Sequence, residues 1–310
     1  MLESFLIVGQ QVAVLFILIF IGLGCALSGL LKKAAVDDMT NLALYIVTPC
    51  ILITSFQREF DSKMLGALGV ALLTATGFHL LNILFAHTLV HDREKRRERV
   101  LRFGLVFSNA GYMSLPLQNE ILGADGVFFG AAVIAIFNLL AWTYGLVLMG
   151  GDMKQIGFRK LFFNPGVVGV MIGLVFFVFS YSLPPVMKRP MEMLSALNTP
   201  LPMLIIGFYL AEAKIVPVLK DIKVHLVMFM RLLAVPLIML AVLLALGVRD
   251  RTLVVACTIA ASAPSAAMTT MFSAKFNQDT QLSVGLVSLS TLVSIVTMPL
   301  VVGLSWYFTH

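Results

Sequence analysis

Hydrophobic stretches long enough to cross a lipid bilayer follow one another along almost the whole chain. The 310 residues are 59% hydrophobic and only 12% charged, about half the charged fraction of an average soluble domain. A membrane-spanning helix needs about 20 apolar residues. On that criterion the sequence predicts segments 1 to 10, which cover 5–31, 39–57, 64–90, 101–122, 126–150, 165–184, 191–213, 224–247, 253–275 and 282–308. We therefore predict an all-α integral membrane protein with ten transmembrane helices.

The net charge of +6 comes from the loops between these segments. Six Lys and Arg residues lie in loops on the side of both termini, and fifteen lie in loops on the other side. Because cytoplasmic loops carry the excess of Lys and Arg, we predict that both termini lie outside the cytoplasm, in the plasma (inner) membrane. The charge thus concerns the bilayer, and no nucleic-acid partner is predicted. The three cysteines fall within apolar segments, so no metal site or cofactor is predicted.

Segment 4 contains most of a stretch that is unusually polar for a membrane helix, SNAGYMSLPLQNEILG from Ser108 to Gly123. Pro116 lacks an N–H group, and its ring collides with the carbonyl group four residues earlier, which predicts a broken or kinked helix. Unpaired backbone groups are not tolerated in hydrocarbon unless they are buried in protein or line a water-filled cavity. This stretch therefore indicates a place where the protein binds something other than lipid.

The prolines recur at matching positions of the two halves of the chain. Segment 2 contains TPCILITSF and segment 7 contains TPLPMLIIGF, while Pro116 in segment 4 is matched by Pro264 in segment 9. Five segments per half mean that the second half enters the membrane from the opposite side, and paired interruptions of this kind are typical of secondary transporters. We predict two inverted five-helix repeats, 1–150 and 151–310, with proline-broken helices 4 and 9 crossing at mid-membrane.

Two helices that restart at mid-membrane would present free N–H groups and the positive ends of their dipoles. Such a place favours an anion, for example a carboxylate. Asn109 lies two turns before Pro116 and faces the same way, and its amide can donate a hydrogen bond. Substrate-binding candidates are therefore Asn109, Ser114, Pro116, Pro264 and Ser265. The alternative is simple packing, in which the prolines kink helices and Asn109 joins two helices.

Ionisable residues inside the membrane are candidates for function. Glu120, one turn past Pro116, and His79, central in segment 3, are the candidates for proton coupling, although a vestibule carboxylate and a packing histidine are the alternatives. Arg231 in segment 8 is expected to reach the membrane surface or to cap a helix. Asn138 and Trp142 share one face of segment 5 and are expected to pack beside the site.

These motifs resemble the auxin efflux carrier family, whose bacterial members include malate or malonate permeases. The resemblance rests on Asn109 with Leu115–Pro116, on FNLLAWTYG, on NPG at Asn164–Gly166 and on APSAAMTTMFSAKFNQD, and it extends over nearly the whole chain. It implies a transport domain containing segments 4 and 9, a scaffold containing segments 2 and 7 that forms a homodimer, and an elevator-like movement. It also implies Asn164 as a further binding residue. The chain lacks the long central loop of the large plant members.

We therefore predict a secondary transporter of small organic anions, carboxylates such as malate, malonate or auxin-like acids. A sodium-coupled carrier of the bile-acid type and a membrane sensor or scaffold that transports nothing are the alternatives. An enzyme is not predicted, because the sequence contains no nucleophile with a matching base and no metal cluster.

Overall fold

The computed structural model describes residues 2–150, 165–212 and 215–309, which are helical almost throughout. The helices are Leu2–Leu27 in segment 1, Lys33–Ser55 in segment 2, Ser62–Leu89 in segment 3, Lys95–Val106 and the first part of Ala110–Gly150 in segment 4, the rest of Ala110–Gly150 in segment 5, Pro165–Val178 in segment 6, Pro185–Glu212 in segment 7, Ile222–Ala245 in segment 8, Arg251–Ser262 and Met268–Lys275 in segment 9, and Thr280–Phe308 in segment 10, with a short helix at Ile215–Leu219.

Six of the helices in these ranges are long and apolar enough to cross a membrane. They are Lys33–Ser55, Ser62–Leu89, Ala110–Gly150, Pro185–Glu212, Ile222–Ala245 and Thr280–Phe308. The shorter apolar helices include Pro165–Val178 and Arg251–Ser262. The chain is thus an all-helical, multi-pass membrane protein, whereas the ten-helix inverted repeat stays a prediction.

The helical run Ala110–Gly150 is two helices joined by a sharp turn at Gly123. Gly123 has φ 63° and ψ −151°, a conformation that essentially only glycine adopts. A Cβ on Gly130 would lie only 2.0 Å from the Gln118 side chain, although residues 12 apart in one straight helix are about 18 Å apart. The chain therefore folds back at Gly123, so that segments 4 and 5 form a helical hairpin almost without a loop.

Pro116 does not interrupt segment 4, contrary to the sequence prediction. A π-helical turn, Ala110–Ser114, ends two residues before Pro116, and the helix then continues from Leu115. The same arrangement recurs at Pro49, after Ala43–Val47, and at Pro236, after Met230–Ala234. A π turn widens the helix by one residue, which accommodates the missing N–H group and the bulk of the proline ring. Segment 4 is interrupted earlier, at residues 107–109.

The segments form two packed groups, here called the frame and the core. In the frame, segment 1 packs on segment 7 and segment 2 packs on segments 6 and 7. In the core, segments 3, 4, 5, 8, 9 and 10 pack on one another around buried apolar side chains. The two groups meet mainly where segments 1 and 7 contact segment 10, and where segments 2 and 6 contact the hairpin of segments 4 and 5.

Glycines allow the backbones of the frame helices to touch. A Cβ on Gly207 would lie 2.1 Å from the carbonyl oxygen of Ile19, and one on Gly22 would lie 2.5 Å from that of Leu204. Segment 6 repeats this arrangement against segment 2, where Gly169 faces Pro49 and Gly173 faces Phe56. Small residues at such contacts drive helix association in membranes through close van der Waals packing.

Ion pairs join three loops at one end of the core. Arg97 pairs with Asp221, with Asp92 at 3.5 Å and with Asp279 at 3.6 Å, while Lys223 pairs with Asp92 at 3.0 Å. At the other end of segment 3, Arg58 pairs with Asp125. A helix of 28 residues is about 42 Å long, so these two groups of loops lie at opposite ends of the molecule.

Adding a methyl group at Gly207 tests the close contact in the frame. Gly207→Ala should lower the melting temperature in detergent by an amount equivalent to about 1–3 kcal/mol, because the new Cβ would overlap backbone atoms of segment 1. Gly24→Ala, on the segment 1 helix that Gly207 faces but with no atom within 4 Å of its new Cβ, is the matched control. An unchanged melting temperature for Gly207→Ala would contradict the close approach.

The ion-pair cluster predicts acid sensitivity. Burial alone would raise the pKa of Asp92, but the Glu94 N–H group and the Lys223 and Arg97 cations hold that pKa below its ordinary value of 3.8. The stabilisation from this carboxylate is fully present when the pH is well above 3.8, its ordinary pKa. It is lost as the pH falls through the lower pKa of the folded state.

Asp92→Asn should therefore lower the melting temperature at pH 7 and weaken its dependence on pH below about 4. Asp37→Asn removes a carboxylate from an exposed pair and should change little. Melting curves of both variants between pH 3 and pH 7 measure this, and equal slopes for the wild type and Asp92→Asn would contradict it.

Candidate functional site

The two interrupted segments meet through their backbones. Ser108 and Ser265 form an isolated antiparallel β-bridge. The Asn109 N–H group donates to the carbonyl oxygen of Pro264 at 2.7 Å, and the Ala266 N–H group donates to that of Phe107 at 2.9 Å. Residues 107–109 and 263–266 are here called the crossing. Each stretch thereby supplies the hydrogen bonds that the other loses by leaving the helix, as the interior of a membrane requires.

Local sequence explains why both helices end here. Ala263 has φ −62° and ψ 147°, the extended conformation that a following proline imposes, so Pro264 ends Arg251–Ser262. In segment 4 the interruption falls at Ser108 and Asn109, residue types that compete with helical hydrogen bonding. The Asn109 carbonyl group then accepts from the N–H groups of Met113 and Ser114, both at 3.1 Å, which starts the next helix.

Ser265 ties the crossing to two further segments. Its hydroxyl group donates to the carbonyl oxygen of Gly104 at 2.9 Å, and its N–H group donates to the hydroxyl oxygen of Ser290 at 3.2 Å. Gly104 is tightly packed, since a Cβ there would lie 2.5 Å from Leu286. Segments 4, 9 and 10 are therefore joined at the same depth.

Arg231 is completely buried beside the crossing. Its guanidinium group donates to the carbonyl oxygens of Leu105 and Ala263, each at 3.2 Å, and to that of Ala261. These carbonyls end Lys95–Val106 and Arg251–Ser262, so one cation caps the negative dipole ends of both helices. Its guanidinium carbon also lies 5.0 Å from the centre of the Phe78 ring. Arg231 caps helices, as one of the two expectations had it, but at mid-segment and without reaching the surface.

A cavity of about 630 Å³ lies between the frame and the core, within the size range of small-molecule sites. On the core side it begins at Gly111 and Tyr112, just past the crossing, and continues along one face each of segments 5 and 9. On the frame side it is lined by residues of segment 2, including Asn41 and Thr48, and by the start of segment 6. Lys275 is the one charged side chain among its lining residues in the described part of the chain.

Three of the predicted site residues come together at the crossing. Asn109 and Pro264 are hydrogen-bonded to each other through their backbones, and Ser265 forms the bridge beside them. Ser114 is buried one turn further along segment 4, and Pro116 is buried beyond it. All five are buried, and none lines the cavity as it stands. Asn164 lies outside the described residues.

Several polar side chains of this region have no hydrogen-bond partner in the described ranges. They are the hydroxyl groups of Ser108, Tyr112, Ser114 and Thr269 and the side-chain NH₂ group of Asn109. A buried polar group without a partner is costly and rare in folded proteins. Their concentration on one stretch and on the helix that faces it indicates room for a bound molecule or water.

The two candidates for proton coupling lie in different surroundings. His79 is completely buried, its Nδ1 atom lies 2.7 Å from the carbonyl oxygen of Ala75, and its ring centre lies 6.2 Å from that of Phe107 at the crossing. Its Nε2 atom has no partner in the described part of the protein. Glu120 is exposed, three residues before the turn at Gly123.

Sequence reasoning missed which helices Arg231 caps, and it missed that Lys275 lines the cavity. An arginine in the middle of an apolar segment is itself a signal of function, although nothing in one sequence shows which carbonyl groups it meets. Lys275 ends the helix Met268–Lys275. Because it lies next to a loop, it was counted among the fifteen cations that predict the orientation of the protein in the membrane. Asn138 and Trp142, expected to pack beside the site, line the cavity itself.

Comparison with known proteins gives one family. The chain matches the family described as membrane transport protein over residues 7–156 and 152–302. A search of curated proteins finds no match.

Removing Arg231 tests its capping of both helices. Arg231→Met should lower the free energy of unfolding by about 2 kcal/mol or more, because three buried carbonyl groups lose a charged donor. Arg231→Lys should recover only part of the loss, since an ammonium group lacks the planar fork of donors. Arg189→Met, at a largely exposed side chain, is the control. Thermal unfolding in detergent measures all three, and a wild-type curve for Arg231→Met would contradict the capping.

Proposed function

The chain belongs to the membrane transport protein family, that of the auxin efflux carriers, and is a membrane transporter, and we propose that it carries small organic anions with a carboxylate group by secondary transport. The substrate binds where the helices of segments 4 and 9 restart after the crossing. Alternating access comes from an elevator-type movement of the core against the frame. Binding and movement of this kind involve no enzymatic step.

The observation that carries the proposal is the position of two helix N-termini at the inner end of the cavity. Gly111 and Tyr112 lie in the first turn of one helix, Met268 begins the other, and all three line the cavity. The first N–H groups of a helix have no partner within it, and the dipole places a partial positive charge there. The Thr269 and Thr270 N–H groups already donate to backbone carbonyl groups. A carboxylate at this place would accept from the N–H groups of Gly111, Tyr112 and Met268.

The electrostatics of the surroundings support an anion. Arg231 adds a full positive charge next to the crossing, and no ion pair with it occurs among the described residues. The described lining of the cavity contains Lys275 and no carboxylate. Neutral donors are also present: Asn109 has a free side-chain NH₂ group and Tyr112 a free hydroxyl group. An anion would gain from each of these groups, whereas a cation would be repelled by the two charges.

The packing supports an inverted repeat and an elevator. Segment 1 packs on segment 7 as segment 6 packs on segment 2, and segments 4 and 9 exchange equivalent hydrogen bonds at the crossing. This reciprocity is expected when the halves 1–150 and 151–310 are related by a two-fold axis in the membrane plane. The cavity lies between the frame and the core, so a bound anion would move with the core.

The sidedness follows from the charges. Lys275 marks the end of the cavity that is nearest the loops of Arg97 and Lys223, on the side with fifteen loop cations. With that side in the cytoplasm, the cavity opens inward and both termini lie outside the plasma (inner) membrane. The frame is the part of the protein that would form a homodimer.

His79 is the stronger of the two candidates for proton coupling. It lies beside the crossing with one unpartnered ring nitrogen. Protonation of the ring would add a positive charge close enough to attract the bound anion. Glu120 is exposed and lies toward the turn at Gly123, so a role for it would concern the outer vestibule.

The proposal predicts that carboxylates stabilise the purified protein. Malate, malonate or indole-3-acetate at about 100 times its dissociation constant should raise the melting temperature by roughly 5 °C, because a ligand that binds only the folded state stabilises it. Asn109→Ala should lower the affinity for that ligand about tenfold. Thr74→Ala, at an exposed hydroxyl group bonded within its own helix, is the control.

The outcomes separate the alternatives. Stabilisation by a carboxylate that falls to about half in Asn109→Ala at the same ligand concentration supports binding at the crossing. Stabilisation that requires sodium favours the sodium-coupled carrier of the bile-acid type. Proteoliposomes that bind a carboxylate but take none up would point to the sensor or scaffold, and no stabilisation by any of the three acids would overturn the choice of substrate.

A further inference from the structure

One face of the helix Met268–Lys275 forms a wall of the cavity from the crossing outward. Met268, Met271, Phe272 and Lys275 all line the cavity, at the spacing of residues on a single helix face. Seven residues of helix measure about 10 Å. The Lys275 backbone therefore lies about 10 Å from the helix N-terminus, at the end of the cavity away from the crossing, here called the cavity mouth, and its side chain is exposed.

The Lys275 ammonium group has aromatic neighbours and no acidic partner. Its nitrogen lies 6.0 Å from the centre of the Trp142 ring and 5.6 Å from that of the Phe276 ring. No carboxylate within ion-pair distance of it is found in the described ranges, whereas Arg58, Arg97, Arg102 and Lys223 each pair with an acidic side chain. Lys275 thus keeps its charge available at the cavity mouth.

Trp142 gives the second, independent indication of a ligand. It lines the same cavity, and its indole N–H group is buried without an acceptor in the described part of the chain. Tyr112, at the inner end, is 8% exposed and also has an unpartnered hydroxyl group. Buried donors of this kind normally have an acceptor, and the described cavity lining offers no carboxylate of its own.

We propose that Lys275, resting on the Trp142 ring, binds the carboxylate of the transported anion as it enters the cavity. This rests on the proposed function and adds a residue to it. The contact between an exposed ammonium group and an aromatic ring is weak, whereas a charge-assisted hydrogen bond to a carboxylate is stronger. An entering anion therefore draws the ammonium group off the ring, and the ring receives it again when the anion moves on to the crossing.

If Lys275 binds the carboxylate, the negative charge of the substrate should strengthen binding mainly while residue 275 carries a positive charge. The test compares each acid with its uncharged amide: malonate with malonamide, and indole-3-acetate with indole-3-acetamide. Binding to purified protein is measured by thermal stabilisation, and uptake of the radiolabelled acids is measured in proteoliposomes. The quantity that decides is the ratio of acid affinity to amide affinity in each variant.

In Lys275→Met the acid affinity should fall about tenfold and the KM for uptake should rise by the same factor. The amide affinity should stay unchanged, so the ratio falls about tenfold as well. Lys275→Arg keeps a charge and should keep most of the ratio. Trp142→Phe keeps an aromatic ring but loses the indole N–H donor, so the ratio should fall by less than in Lys275→Met. Lys220→Met removes a lysine from a neighbouring loop, outside the cavity lining, and is the control for general surface charge.

Each result decides one point. Equal weakening of acid and amide in Lys275→Met would mean that the residue only supports the helix, which overturns this inference and leaves the proposed function intact. An unchanged ratio in well-folded Lys275→Met protein overturns it too. If neither malonate nor indole-3-acetate binds or enters wild-type proteoliposomes, the proposed function and this inference fall together.

Discussion

The fold depends on how two interrupted helices satisfy their backbone groups inside a membrane. Phe107 and Asn109 exchange hydrogen bonds with Ala266 and Pro264, and Arg231 donates to three further carbonyl groups. Water is not available there to compete for these groups. Because pairing and capping use the C-terminal ends of the first helices, only the N-terminal ends of the second helices face the cavity, where Gly111, Tyr112 and Met268 line it. The polar site is therefore a consequence of the same arrangement that makes the interruption tolerable.

Much of this arrangement can be predicted from the sequence, because its causes are local. Apolar length gives the segments, and Pro264 ends its helix through a conformational restriction on the residue before it. The effect of Pro116 was predicted wrongly, because a π turn accommodates the ring where a straight α-helix cannot. Whether a proline breaks the helix or is accommodated by a π turn depends on the hydrogen bonding of the preceding turn, and residue type alone does not determine it.

The roles of Arg231 and Lys275 depend on partners that are distant in the chain. Arg231 meets carbonyl groups 126 and 30 to 32 residues away. Lys275 meets an aromatic ring more than a hundred residues earlier in the chain. A single sequence marks such residues as unusual by their charge, but it does not say what they contact. The family match shows that the chain is a membrane transporter, and the packing adds where an anion would find donors.

The turn at Gly123 limits how the cavity can change shape. The helical hairpin from Gly111 to Trp142 lines the cavity on both sides of that turn. Its two helices are joined at a single glycine, without a loop between them. The Gln118 side chain fills the space that a Cβ on Gly130 would need, so the two helices are in close contact beside the turn. We therefore expect the two helices of the hairpin to move together. Any widening or closing around a bound anion must come from the facing walls, which are segments 2 and 6 of the frame and the helix Met268–Lys275 of segment 9.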